Sequence, residues 1–236
     1  MRSVSAILFA LSLCLSVPVF GAVAHDGEAN LSAVVSATDP WDIQDKTTAG
    51  ANRCAVVRIE TSQTTTVTSI TYNAVAMTQV GTPVDITAGS ARRLHFYIIA
   101  APPTAASDIA IDFNASATGS YLVSSFSGCD QADPIGDNQT ASGSGTSASV
   151  AVTAAAGDIV LDYLQAATST ITEDGGQTLE MADLNRSSFY MAASRENGAA
   201  SVTMSWTISS AAWGIRAFSI NQASAAGNTP LRRRRN

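Results

Sequence analysis

Side chains able to take part in acid–base or nucleophilic chemistry are few in this chain of 236 residues. His25 and His95 are its two histidines, and no Gly-x-Ser-x-Gly element is present to hold an activated serine. The remaining candidates are four carboxylates around one predicted turn, Glu173, Asp174, Glu180 and Asp183. A glycosidase needs two such groups on either side of a sugar bond, whereas acidic residues in a turn are ordinarily just solvated. We therefore assign no catalytic residue and expect a protein without enzymatic activity.

Two acidic segments have the oxygen-rich composition of calcium loops. Residues 26–30 place side-chain oxygens at positions one, three and five of such a loop, but the glycine that follows is missing. Asp130, Asp133 and Asp137 form the second segment and are the candidate calcium ligands. Asp side chains also cap their own turns, so turn capping stays open as the alternative. No other cofactor is predicted.

Three aromatic residues are candidates for a carbohydrate-binding surface. Trp41 follows Pro40 in an acidic context, so we expect it in an exposed loop, where it can stack on a sugar ring. Trp213 begins the last predicted strand, and Tyr190 lies within another strand. Because aromatic residues of a sandwich belong to the core more often than to a ligand platform, both assignments stay open for these two.

Cys54 and Cys129 both lie in apolar, strand-like surroundings, and Cys14 lies in the N-terminal apolar segment. Buried free thiols are the ordinary outcome for such residues. A disulfide between Cys54 and Cys129 is the alternative, and an oxidising compartment would permit it.

Charge is scarce and unevenly placed. Charged residues make up 14% of the chain, against roughly 25% in an average soluble domain. The formal net charge is −6, although Arg232 to Arg235 stand together near the end. Without these four and Arg2, 8 basic and 19 acidic residues remain. An acidic body repels the phosphate backbone that supplies most nucleic-acid affinity, so we expect no nucleic-acid partner.

The N-terminal segment, residues 1–24, has the features of a secretory signal or an N-terminal arm. Arg2 precedes a largely apolar stretch, and the small residues Ala22 and Ala24 suit a signal peptidase. Cleavage is expected after Ser16 or after Ala24. The apolar stretch is too short and interrupted for a stable membrane span. We therefore expect an extracellular protein, either secreted and on a cell surface or part of a virion.

Alternation of apolar and polar residues predicts an all-β fold. Val202, Met204, Trp206 and Ile208 alternate with serines and threonines, which is the two-residue period of a strand. The expected strands are 18–24, 31–37, 53–60, 66–72, 75–80, 93–100, 108–113, 121–127, 148–154, 158–166, 187–193, 201–208 and 213–220.

Turn-forming residues separate these strands. The pair Asn73–Ala74 suits a hairpin, and Ala101–Thr104 must form a corner because of its two prolines. Residues 142–147 are glycines, serines and threonine, so we expect a long flexible loop within one sandwich; a linker that divides two domains near residue 145 is the alternative. Residues 222–236 are expected to be a disordered or extended Arg-rich tail.

The pattern as a whole predicts one antiparallel β-sandwich, jelly-roll-like, over residues 18–221. The expected core residues are Val56, Ile70, Phe96, Ile98, Ile111, Phe126, Ile159, Leu161, Met204, Trp206 and Phe218.

The order of several turn and core motifs resembles a known group of domains. The motifs are Gly50–Arg53, Val67–Asn73 with Met77–Gly81, Phe96–Ile99 with Pro102, Phe126–Gln131 with Pro134, Ala156–Val160 and a last strand from Trp213. They resemble an uncharacterised β-sandwich domain that recurs in bacteriophage structural proteins and in bacterial secreted or surface proteins. The signal-like start is unusual for a virion component, and Cys129 stands where an ordinary apolar residue is expected.

The resemblance implies a structural or attachment protein, such as a tail, fibre or capsid-decoration component of a virion, and it supplies no catalytic residues. Independently of the resemblance, exposed strand edges poor in lysine can pair between copies, so we expect the partner to be another copy of the chain or another structural protein. A secreted bacterial adhesin or carbohydrate-binding module is the alternative, favoured by the signal-like start and by Trp41.

Overall fold

The computed structural model describes residues 21–26, 31–36, 40–86, 91–168, 170–186 and 189–224. Every regular element in these ranges is a β-strand, and all pairings between strands are antiparallel. The predicted all-β, antiparallel sandwich class is confirmed. The proposed cleavage after Ser16 and the arginines near the end lie outside the described residues.

The strands are β1 (Ala24–His25), β2 (Leu31–Ser36), β3 (Trp41–Lys46), β4 (Cys54–Ser62), β5 (Val67–Tyr72), β6 (Val75–Ala76), β7 (Thr78–Gln79), β8 (Val84–Ile86), β9 (Arg92–Ala100), β10 (Ser107–Phe113), β11 (Thr118–Ser127), β12 (Ile135–Val152), β13 (Ile159–Ala166), β14 (Ile171–Glu173), β15 (Thr178–Arg186), β16 (Phe189–Asn197) and β17 (Val202–Ile220).

These strands form three sheets. Sheet 1 has the order β1-β11-β4-β9-β7, with β2 also paired to β11 and β8 to β9. Sheet 2 has the order β3-β10-β5-β6. Sheet 3 has the order β12-β17-β13-β16-β15, with β14 also paired to β17. The predicted hairpin at Asn73–Ala74 joins β5 to β6, and both turn residues have positive φ, 49° and 60°.

Sheet 1 lies in the middle of the stack and is buried on both faces. Along β4, Val56 faces sheet 3 while Val57 and Ile59 face sheet 2. The first core, between sheets 1 and 3, includes Val56, Phe96, Phe126, Ile159, Leu161, Met191 and Phe218. The second core, between sheets 1 and 2, includes Val57, Ile59, Ile70, Tyr72, Ile109, Ile111 and Phe113. β4 and β9 therefore have nearly continuous apolar sequences instead of a strict alternation.

Sheet 3 folds back on itself and encloses a third core. β12 and β17 pair from Ile135 with Ile220 to Val152 with Val202, with a shift in register between Gly145 and Ser147. Asp137, near the start of β12, accepts hydrogen bonds from the backbone N–H (2.9 Å) and the hydroxyl (3.0 Å) of Thr153, just beyond its end. The two-stranded ribbon is therefore bent double. The third core between its halves includes Val150, Val160, Leu164, Met204, Trp206 and Ile215.

The glycine- and serine-rich segment 142–147 lies inside β12, so the loop predicted there is wrong. Gly143 pairs with Trp213, and a Cβ atom at position 143 would lie 3.0 Å from Cζ2 of that indole. A small residue is thus needed for close packing with the neighbouring strand, and composition alone does not distinguish that need from flexibility. Residues 202–220 likewise form one bent strand where two were predicted.

All eleven predicted core residues are buried. They are distributed over the three cores, so the chain builds a stack of β layers where the simplest sandwich has two.

We expect Phe126→Ala to lower the free energy of unfolding by about 3–5 kcal/mol, because its side chain is fully buried in the first core. Val75→Ala is the matched control, since Val75 is 56% exposed, and we expect less than about 0.5 kcal/mol there. Denaturant unfolding measures both. Equal losses for the two variants would contradict this assignment of the core.

Candidate functional site

The three candidate calcium ligands are not part of a group of metal-ligating side chains in the described residues. Asp130 Oδ1 accepts hydrogen bonds from the backbone N–H groups of Ala132 (2.8 Å) and Asp133 (3.1 Å). Asp137 binds Thr153 and its own neighbours. These hydrogen bonds lower the pKa of both Asp130 and Asp137. Within the described residues no group of three histidine, cysteine or acidic side chains is placed to hold a metal ion. Turn capping, the alternative, accounts for the positions of Asp130 and Asp137.

Trp41 is not a surface aromatic, and its assignment as a sugar platform is wrong. It is the first residue of β3 and is 2% exposed. Its ring centroid lies 4.5 Å from that of Phe113 and 6.5 Å from that of Tyr121, in the second core. Pro40 and the nearby acidic residues suggested a loop, but Asp42 is simply the exposed member of the alternating strand.

Trp213 and Tyr190 lie in one row across sheet 3. Both are opposite Ala166, which lies between them on β13, so their side chains share a face. Both are half-buried and pack against the third core. The Trp213 indole leans over Gly143 toward the edge strand β12. The structure thus brings together these two candidate ligand residues and separates them from Trp41.

Cys54 and Cys129 form a disulfide, with Cα atoms 6.1 Å apart. Both residues are fully buried in the first core. The bond joins the start of β4 to the segment that follows β11, where the chain leaves sheet 1 for sheet 3. Of the two alternatives left open by the sequence, the structure contains the cross-link.

The two histidines lie in different packing environments. His25 packs edge-on against Phe126, with ring centroids 5.6 Å apart. His95 is 1% exposed, and its Nε2 lies 3.2 Å from the Thr61 hydroxyl. Burial lowers the pKa of His95 to about 4, with a smaller contribution from Arg93. His95 is therefore a neutral core residue at physiological pH.

The densest group of titratable side chains is a buried network between sheets 1 and 3. Arg58, on β4, forms an ion pair with Glu180 on β15, and both side chains are fully buried. Arg58 also donates to the Ser124 hydroxyl, and at 2.9 Å to the backbone carbonyl of Asp162. Arg195 approaches the other carboxylate oxygen of Glu180 at 3.2 Å. Burial alone would raise the pKa of Glu180, but the charges of Arg58 and Arg195 and the Arg58 hydrogen bond lower it overall.

A second ion pair extends this network along β4. Glu60 is fully buried, and Nε of Arg92 lies 3.2 Å from its Oε1. The Ser120 hydroxyl lies 3.1 Å from the Tyr163 hydroxyl and 3.4 Å from a Glu60 oxygen. The network therefore connects β4, β9 and β11 of sheet 1 with β13, β15 and β16 of sheet 3.

Asp162 connects the two halves of folded sheet 3. Its Oδ2 accepts a hydrogen bond of 2.6 Å from Trp206 Nε1, and its Oδ1 accepts from the Ser194 N–H (2.6 Å) and hydroxyl (3.0 Å). Full burial raises the pKa of Asp162 to about 7, although these hydrogen bonds oppose the shift. Gln177 is a second link of this kind: it accepts a hydrogen bond from the Ser205 N–H and donates one to the Ser194 hydroxyl, both at 2.7 Å.

The carboxylates considered for glycosidase chemistry are engaged in separate places. Glu180 is held by two arginines, and Asp174 accepts a hydrogen bond from the Thr207 hydroxyl at 3.0 Å. Glu173 lies opposite Trp206 on β14. The side chain of Asp183 lies outside the described residues. Sequence reasoning placed Glu180 in an acidic turn and missed the buried network, because its partner Arg58 is 122 residues away.

Two surface depressions lie on the described chain. One, of about 400 Å³, lies between the β7–β9 edge and residues 131–135. The other, of about 580 Å³, lies on sheet 2 and is lined by Asp42, Asp45 and Asp108 among others. Asp108 Oδ1, on β10, accepts a hydrogen bond from the Asp45 N–H of the neighbouring strand β3 at 3.2 Å, where the register of the two strands shifts.

In the part of the chain that the structure describes, no helix is long and apolar enough to cross a membrane. Comparison of the chain with protein-family models, curated proteins and solved structures finds no match.

We expect Glu180→Leu to destabilise the protein by about 3–5 kcal/mol, because it leaves the buried Arg58 without its counter-charge. The double variant Arg58→Met/Glu180→Leu should recover most of this loss, since it removes both charges. Denaturant unfolding of the two single variants and the double variant gives the coupling. A loss below about 1 kcal/mol for Glu180→Leu would show that the pair contributes little.

The pKa of His95 predicts a loss of stability on acidification. Because its pKa is near 6.5 in the unfolded chain and about 4 in the folded protein, protons bind the unfolded state more strongly between these values. Stability should fall as the pH decreases from about 6.5 to 4, by up to about 3 kcal/mol from this residue.

Asp162 acts in the opposite direction over this range, since its raised pKa favours the folded state at low pH. The comparison with His95→Gln therefore isolates the histidine contribution. Urea titration at pH 4 to 7 measures the free energy of unfolding of both proteins. As the pH falls, wild type should lose more stability than His95→Gln. A difference that stays constant with pH would contradict the assignment.

Proposed function

We propose that this chain is a non-enzymatic structural or attachment protein that works outside the cytoplasm, as a tail, fibre or capsid-decoration component of a virion. The observation that supports this most is the position of its chemically capable groups. Arg58, Glu60, Glu180 and Asp162 lie between β layers and are bonded to each other or to neighbouring strands. Catalysis requires an acid, base or nucleophile within reach of substrate, and these groups hold layers together instead.

The architecture supports a passive mechanical role. Three cores hold the β layers in register, and the buried ion pairs and the disulfide cross from one layer or segment to another. Such a block presents sheet edges and loops to partners without disturbing its interior. The resemblance of the turn and core motifs to domains of bacteriophage structural proteins supports the virion assignment.

The extracellular location has its own support. The Cys54–Cys129 disulfide is of a kind that persists in secreted proteins and on virion or cell surfaces, and that reducing cytosol disfavours. The partner in this proposal is another copy of the chain or another structural protein. The acidic body of the chain disfavours nucleic acid.

A secreted adhesin or carbohydrate-binding module is the second candidate. One observation favours it: Trp213 and Tyr190 flank Ala166 in a single row, with both rings half-buried. A partly exposed aromatic side chain can pack against the apolar face of a sugar ring. Trp41, which is buried, no longer contributes to this argument.

The proposal predicts no hydrolysis by the full-length protein in a panel of glycosidase, esterase and protease substrates. Turnover that is abolished by Glu173→Gln or Asp174→Asn would overturn it in favour of an enzyme. N-terminal sequencing of the native protein distinguishes the two candidates: an intact Met1 supports the virion component, and a start at Val17 or His25 supports secretion. On a glycan array, binding lost in Trp213→Ala but retained in Val75→Ala would establish the carbohydrate module.

A further inference from the structure

β12 is an edge strand of unusual length. It has 18 residues, and within the described chain its only strand partner is β17. From Asn138 to Val152 the sequence contains no charged residue and no proline. Proteins ordinarily protect such edges with lysine, proline or a covering segment, because unpaired backbone groups attract another strand. Here Ser142, Gly143 and Ser144 are all exposed, and the regular edge around them runs from Asn138 to Gly145, where the register shift before Ser147 bends the strand.

Trp213 adds an apolar anchor beside this edge. A Cβ atom at Gly143 would lie 3.0 Å from Cζ2 and 3.7 Å from Cη2 of the indole. The six-membered ring therefore lies above Gly143, and it extends outward from β17 over the edge strand. Tryptophan half-exposed beside backbone hydrogen-bonding groups is typical of the residues that dominate protein–protein contacts.

We propose that a second copy of this chain pairs with β12 in antiparallel orientation, with Gly143 of one copy opposite Gly143 of the other. Paired strands lie about 4.7–4.9 Å apart, so the two indole rings, each above its own glycine, come within the 4.5–7 Å range of aromatic pairs. The inference rests on the proposed structural role and specifies the surface through which copies assemble.

A second copy fits this edge better than an unrelated peptide because the edge is self-complementary. With a two-fold axis at Gly143, Ser142 of one copy lies opposite Ser144 of the other, so small, uncharged residues face each other across the interface. Asp137 is the only charged residue of β12, and antiparallel symmetry places the two Asp137 carboxylates on opposite sides of the axis. Main-chain hydrogen bonds then supply affinity, and the paired indoles fix the register.

The proposed register can be tested by introducing charged residues at positions 142 and 144. In the double variant Ser142→Lys/Ser144→Lys, like charges face each other across the axis, so we expect the dimer dissociation constant to rise at least tenfold, as it would for about 1.4 kcal/mol. Ser142→Lys/Ser144→Glu is the matched control. In this variant the lysine of each copy lies opposite the glutamate of the other, so the dimer dissociation constant should stay within about threefold of the wild-type value. Because both positions are exposed, each variant should fold, and circular dichroism with thermal unfolding checks this.

Light scattering and sedimentation of the full-length variants measure the association. Trp213→Ala should also weaken it at least tenfold. A monomeric wild type, or equal behaviour of the Lys/Lys and Lys/Glu variants, would overturn the pairing of β12. Neither result would contradict the proposed structural role, which is tested separately by the absence of hydrolysis. Conversely, a dimer that hydrolyses a substrate would contradict the structural role but not the pairing of β12.

Discussion

Burial of both faces of β4 is the constraint on which the rest of this structure depends. A strand covered on both sides requires two further layers, and sheets 2 and 3 supply them. Yet the same strand carries Arg58 and Glu60, whose side chains point into the layer facing sheet 3. Buried charges need partners: Glu60 finds Arg92 on β9 of its own sheet, whereas Arg58 finds its partner on the opposing sheet. Glu180 and Tyr163 provide contacts from sheet 3, so the position of that sheet relative to sheet 1 is tied to the charge pairing.

The charge network and the apolar part of the first core have different effects. Phe96, Phe126 and Phe218 favour any arrangement that removes their rings from water. The Arg58–Glu180 pair favours one register only, because a slip of one residue would turn Arg58 to the other face of β4. A buried ion pair adds little net stability compared with apolar residues of the same size. We therefore interpret this network as selecting one stacking of the sheets among several that hydrophobic burial alone would allow.

Much of the fold could be predicted from the sequence, because alternation is a local property. Met204, Trp206 and Ile208 are core residues as the two-residue period indicates. The failures involve residues whose environment is set by distant parts of the chain. Gly143 resembled a linker because its neighbour Trp213 is 70 residues away. Glu180 resembled a turn residue because Arg58 lies on another sheet. Trp41 follows a proline, and its place in a strand depends on pairing with Ile111, 70 residues further along the chain. In the candidate site, the sequence identified Trp213 and Tyr190 as individual residues. That they lie in one row follows only from the pairing of β13 with β16 and β17.

The central position of β17 in sheet 3 has a consequence for biosynthesis. β17 pairs with β12, β13 and β14, and it is the last strand of the described chain. Sheet 3 therefore cannot be completed on the ribosome before Ile220 has left the exit tunnel, whereas sheets 1 and 2 draw all their strands from residues 24–127. During elongation, at about 5–20 residues per second, the face of sheet 1 that carries Phe96 and Phe126 stays uncovered for several seconds. An exposed apolar face of this kind favours aggregation, so the half of the chain that is made last decides when the nascent protein is protected.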